Sequence, residues 1–87
     1  MITSEQMRAA RALLRWEQKD LAKASKVSLP SIKRLEGLEG PLAAQERTID
    51  AIIAAFGKAG LEFIDGDEPG VKLRKAKGER ETRLTRS

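Results

Sequence analysis

Between Ser28 and Arg34 the chain sets two hydroxyls, a lysine and an arginine around an apolar pair, Leu29-Pro30. If this run is helical, Ile32 and Leu35 stand about one turn apart and turn the same face to a core. Leu29, Ser31, Lys33 and Arg34 are then left facing outward. The chemistry of such a set is recognition, not proton transfer. Arg34 can donate hydrogen bonds to a guanine or a phosphate, and Lys33 suits a phosphate. Leu29 and Pro30 make an apolar tip that can touch a thymine methyl but reads no donor–acceptor pattern. Ser28 stands just before the helix as its N-cap, accepting from the Ser31 N–H. Pro30 falls in the first turn, where a missing N–H costs nothing.

Other chemistry is poorly supplied. The chain has neither histidine nor cysteine, so the commonest general base, the commonest metal ligand and all thiol chemistry are absent. It has no Gly-rich phosphate loop and no carboxylates grouped on one face. No enzymatic activity and no cofactor are expected. The acidic run Asp65, Asp67 and Glu68 lacks the spaced ligands and the closing Glu of a calcium loop, so no metal is expected either. Eighty-seven residues suffice for one small domain with one modest core. No apolar run approaches a membrane span, and the N-terminus shows no signal-peptide core. The expectation is a cytoplasmic protein, associated with the bacterial nucleoid and not with a membrane.

Charge is segregated along the chain. Residues 1–36 carry eight Lys/Arg and four Asp/Glu, residues 37–70 two and seven, and residues 71–87 seven and two. The net values are +4, −5 and +5. Basic groups near the helix ending at Arg34 can attract phosphates, and the acidic middle should face away from them.

Helices and turns position these groups. Residues 3–15 read as a helix with Met7, Ala10 and Leu14 on its inner stripe, Leu13 beside it, and Thr3 with Gln6 as a capping box. Arg8 is expected to be solvated, and Arg11 or Arg15 to be free to reach a backbone phosphate. Trp16 should join the core, with Leu21 as its neighbour. A second helix spans about Gln18 to Ser25, and a third about Leu29 to Glu36. The turn Lys26-Val27 joins them, with Lys26 in a left-handed conformation. Gln18 opens the second helix, where free backbone N–H groups and a donating side chain suit a phosphate. Two short helices joined in this way form a helix-turn-helix, whose second helix can enter the DNA major groove.

Gly37 is expected to close the third helix with a left-handed cap, and Leu38 to return to the core. Residues 45–59 read as a long helix, with Ile49, Ile52, Ile53 and Phe56 inward and Gly57 and Gly60 marking its end. Leu61/Phe63 and Val71/Leu73 alternate with polar residues and predict two antiparallel strands around the turn-rich segment Asp65 to Gly70. Residues 75–87 are polar and basic and should be a disordered tail.

The run Leu13 to Ala22, then Val27-Ser28, then Ile32-Lys33-Arg34-Leu35-Glu36, resembles the Xre/Cro family of helix-turn-helix regulators. The match covers residues 5–56 and is strongest over 18–36. The resemblance implies a lambda-repressor-like bundle of four or five helices, homodimers on palindromic operators, and frequent repression. It implies a phosphate contact at Gln18 and base contacts at Ser28, Leu29, Pro30 and Arg34, with Lys33 nearby. Three positions depart from the pattern. Glu17 replaces a Ser or Thr cap, Lys26 replaces the turn glycine, and Leu29-Pro30 replaces polar readers. The last departure leaves more of the specificity to DNA shape.

The resulting expectation is a mainly α protein, a four-helix lambda-repressor-like bundle with a short C-terminal β-hairpin. Residues 1–60 would form the DNA-binding domain, 61–74 a hairpin available for dimerisation, and 75–87 the tail. The expected function is that of a sequence-specific transcriptional regulator, a repressor, binding double-stranded DNA as a homodimer through Gln18, Ser28, Leu29, Pro30, Ser31, Lys33 and Arg34. The alternative is a protein-interaction module, an antitoxin or an antagonist of another regulator, acting on a protein partner through the hairpin and tail.

Overall fold

A computed structural model describes residues 2–74. Four helices come first: Ser4–Leu14 (α1), Gln18–Ser25 (α2), Leu29–Glu36 (α3) and Glu46–Lys58 (α4). Two antiparallel strands follow, Leu61–Ile64 (β1) and Gly70–Leu73 (β2), paired Leu61 to Leu73 through Ile64 to Gly70. The protein is mainly helical with one short hairpin. The predicted disordered tail, residues 75–87, lies outside the described residues.

The helix boundaries follow from local chemistry. Thr3 and Gln6 cap α1 reciprocally: the Gln6 N–H donates to Thr3 Oγ1 at 3.1 Å and the Thr3 N–H donates to Gln6 Oε1 at 3.0 Å. Arg15 ends α1 in the left-handed region at φ 59°. Lys26 does the same for α2 at φ 65°, its N–H reaching the Ala22 carbonyl at 2.8 Å. Glu17 is a poor cap, and the helix compensates from inside, because the Asp20 carboxylate accepts from the Glu17 N–H at 2.7 Å. Ser28 caps α3 as expected, its Oγ accepting from the Ser31 N–H at 3.3 Å.

The core is a single cluster. Met7 and Ala10 of α1, Leu21 of α2, Ile32 and Leu35 of α3, and Ile52 and Phe56 of α4 are wholly buried. Phe56 lies at its centre. Trp16 stacks on it with centroids 5.8 Å apart, and Phe63 of β1 meets it edge-on at 5.7 Å. Trp16 thus packs against the core, half-buried and stacked on Phe56. β1 lies against α4 and β2 against α1. The hairpin is latched by one side chain: Gln6 Nε2 donates to the Ile64 carbonyl at 3.1 Å and the Gly70 carbonyl at 2.9 Å.

Several local expectations are corrected. Leu38 stays 39 % exposed, and Leu42 takes the core place with Ile2. The cause is a pairing the sequence does not announce, in which the chain start lines up with the loop after α3. The Ser4 N–H donates to the Gly40 carbonyl and the Leu42 N–H to the Ile2 carbonyl. That pairing turns Leu42 inward. Gly37 is right-handed at φ −82°, and the left-handed turn falls at Gly40, φ 78°. Gly57 lies inside α4 and Gly60, φ 97°, makes the break before β1. Leu13 is exposed instead of flanking the buried stripe.

Candidate nucleic-acid interface

α2, the turn and α3 are tied together at both ends. In the turn, the buried Ser25 hydroxyl donates to the Leu21 carbonyl at 2.8 Å and accepts from the Val27 N–H at 3.2 Å. At the far end, Glu36 is buried and grips two other helices. Arg11 of α1 donates to it twice, Nε to Oε2 at 2.6 Å and Nη2 to Oε1 at 2.7 Å. Gln18 of α2 donates from Nε2 to Glu36 Oε1 at 3.1 Å. The third guanidinium nitrogen of Arg11 donates to the Trp16 carbonyl at 2.8 Å. The hydrogen bonds to Glu36 raise the Arg11 pKa further above its already high ordinary value. Such bidentate, charge-assisted pairs set geometry as well as energy. One carboxylate therefore joins α1, the start of α2 and the end of α3.

Two arginines are corrected by this arrangement. Arg11 was expected to be free for a phosphate and is committed to Glu36. Arg8 was expected to be merely solvated, and its guanidinium donates to the carbonyls of Glu36 and Leu38, closing the C-terminal end of α3. Arg15 is exposed at the end of α1.

The predicted interface residues fall as follows. Ser28, Pro30, Lys33 and Arg34 are exposed; Leu29, Ser31 and Gln18 are half-buried. Ser28 Oγ also donates to Ser31 Oγ at 3.0 Å, so the Ser28 hydroxyl proton is committed to its own helix and one acceptor lone pair remains. Pro30 and Arg34 are four residues apart and share the outward face, with Lys33 beside them. The side chains of Lys33 and Arg34 have no hydrogen-bonding or ionic partner among the described residues. The only acid on α3, Glu36, points away from that face. Gln18 is the one member of the set with a structural duty. One of its amide hydrogens goes to Glu36, which leaves the second and the open backbone N–H of a first helical turn for an anion. Glu17 and Asp20 oppose an anion there, and Lys19 partly offsets Glu17 at 3.6 Å.

Sequence reasoning left Lys19 and Lys23 out of the predicted interface and gave Lys26 only the turn; all three are exposed along α2 and its turn. Their spacing of four and three residues was the available signal. It also missed the role of Glu36, although a glutamate four residues beyond Ile32 lies on the core face and must find a partner. Among the described residues no group of acids, histidines or cysteines could hold a metal ion, and no helix is long and apolar enough to cross a membrane. Compared with models of protein families and with curated proteins, the chain matches none.

Proposed function

We propose that this protein is a sequence-specific DNA-binding regulator of transcription, a repressor, of the Xre/Cro type with a lambda-repressor-like fold. α3 lies in the major groove, and a homodimer sets two copies on half-sites about one helical turn apart. The observation that carries this reading is the outward face of α3. Pro30, Lys33 and Arg34 stand exposed on it, the two cations unpaired, while the helix's one acid is buried and neutralised by Arg11. Lys19, Lys23 and Lys26 add positive charge on the adjoining helix, where phosphates would pass. Selection of bound sequences from a random duplex pool at near-physiological salt tests the reading. Enrichment of a palindrome is expected; binding that is weak, salt-sensitive and without enrichment would overturn it.

A second reading, a module that captures a protein partner, is favoured by Ile64 and Leu73, which leave apolar surface on the hairpin at 40 % and 41 % exposure. Replacing both by Lys separates the two. Lost capture of a protein partner with unchanged DNA affinity supports the second reading.

A further inference from the structure

If α3 lies in a groove, as the DNA-binding reading on which this inference rests requires, its axis must be held. α3 is eight residues long, about 12 Å. A tilt of about 10° moves its far end by about 2 Å, more than the roughly 0.5 Å that a recognition constellation tolerates. Lys33 and Arg34 stand in that last turn, whose carbonyls need partners. The Gly37 N–H donates to the Lys33 and Arg34 carbonyls at 3.1 Å and 3.2 Å. Gly37 is right-handed, so no left-handed closure follows, and the Leu38 N–H reaches the Leu35 carbonyl only at 3.4 Å.

α1 supplies the missing donors. The wholly buried Ser4 hydroxyl donates to the Leu35 carbonyl at 2.8 Å. Arg8 Nη1 donates to the Glu36 carbonyl at 2.5 Å and to the Leu38 carbonyl at 3.3 Å. Its guanidinium also brings a full positive charge to the negative end of the α3 dipole. Ser4 and Arg8 are four residues apart and share one face of α1. Both grip main-chain atoms, so they fix the axis of α3 and not a single side chain. We propose that Ser4 and Arg8 are positioning residues for DNA recognition. They hold the last turn of α3 at the angle at which Lys33 and Arg34 meet the groove, and neither touches DNA.

The experiment uses the full chain, the duplex enriched from a random pool, and a shuffled duplex of equal length. It is run at a temperature where urea titration shows each variant folded. Arg8→Met is expected to lower the ratio of specific to non-specific affinity about tenfold. The slope of log K against log salt should not change, because no phosphate contact is lost. Ser4→Ala should lower the ratio in the same way with no charge altered. Arg8→Lys keeps the cation and is the variant to read if Arg8→Met does not fold; it should lose about threefold. Lower stability with an unchanged ratio would make both residues merely structural and overturn the proposal. So would a slope smaller by about one in Arg8→Met, which would put Arg8 on a phosphate. Either result leaves DNA binding standing. No enrichment from the pool at all would overturn the proposed function and this inference together.

Discussion

Glu36 shows how one side chain can assemble a surface without belonging to it. Its side chain is 4 % exposed and that of Arg11 is 21 % exposed, so neither charge is well hydrated and each depends on the other. Arg11→Met should destabilise the fold by about 3 kcal/mol, because it leaves a buried carboxylate unpaired. Adding Glu36→Leu should recover most of that loss, since removing both charges avoids the desolvation penalty. Urea unfolding checks both, and a single-variant loss under about 1 kcal/mol would mean the pair is effectively a surface ion pair. Arg34 is the contrasting case. It is exposed and holds nothing in the fold, so Arg34→Ala should change stability by no more than about 0.5 kcal/mol while weakening specific DNA binding by about 1–3 kcal/mol. A large loss of stability in that variant would contradict its placement on the open face of α3.

The hairpin is the element least able to stand alone, since two strands are marginal in water. It is held by Leu61 in the core and by Gln6, whose amide also caps α1. Gln6→Leu should therefore cost about 1–3 kcal/mol by leaving the Ile64 and Gly70 carbonyls and the Thr3 N–H unsatisfied. Amide hydrogen exchange should speed up across residues 61–73 before it does in α4; equal acceleration in both would show that the hairpin opens only with the whole molecule. Two glycines nearby predict opposite outcomes for the same substitution. Gly60 has φ 97°, and a Cβ there would lie 3.1 Å from the Arg74 carbonyl oxygen. Gly60→Ala should destabilise by more than about 1 kcal/mol. Gly57 is helical with open space around it, and Gly57→Ala should stabilise by about 0.4–1 kcal/mol. Thermal melts of the two variants would show a lower and a higher midpoint respectively.

Charge acts across the assembled protein through salt and pH. If the cations of α2 and α3 meet phosphates, log K should fall linearly with log salt, and Lys33→Ala should lower that slope by about one without altering the preferred sequence. An unchanged slope would remove Lys33 from the interface. Acid sensitivity has a different origin. The Glu5 carboxyl is held below its ordinary pKa by backbone N–H groups, its own and that of Gly40, which donates at 3.1 Å, with help from Arg8. A depressed carboxyl contributes stability at pH above its unfolded value and loses it as the pH falls through the folded value. Stability should therefore decline as the pH drops below the ordinary carboxylate range, and Glu5→Gln should flatten that decline. The Arg11 shift has the opposite sign, so its contribution is already complete at neutral pH.

Local pattern alone determined the helices and the N-terminal caps at Thr3 and Ser28. Thr3 with Gln6, Ser28 with Pro30, and the stripe Ile49, Ile52, Ile53 and Phe56 are short-range signals, and α2 and α3 begin and end where those signals place them. The alternation of Leu61/Phe63 and Val71/Leu73 likewise predicts the strands, one residue off at β2. The exposed members of the candidate interface follow from the same periodicity, since residues opposite Ile32 and Leu35 must face outward. Only the tertiary structure decided which polar groups were free. Arg11, Arg8 and Gln18 look like available donors along the chain, yet each finds a partner 18 to 30 positions away. Leu42 replaced Leu38 in the core for the same reason, because the chain start at Ile2 paired with its loop. Periodicity fixes the face on which a side chain stands. Its partner depends on which helix ends meet, and that is settled by packing around Phe56, a long-range event that no local spacing encodes.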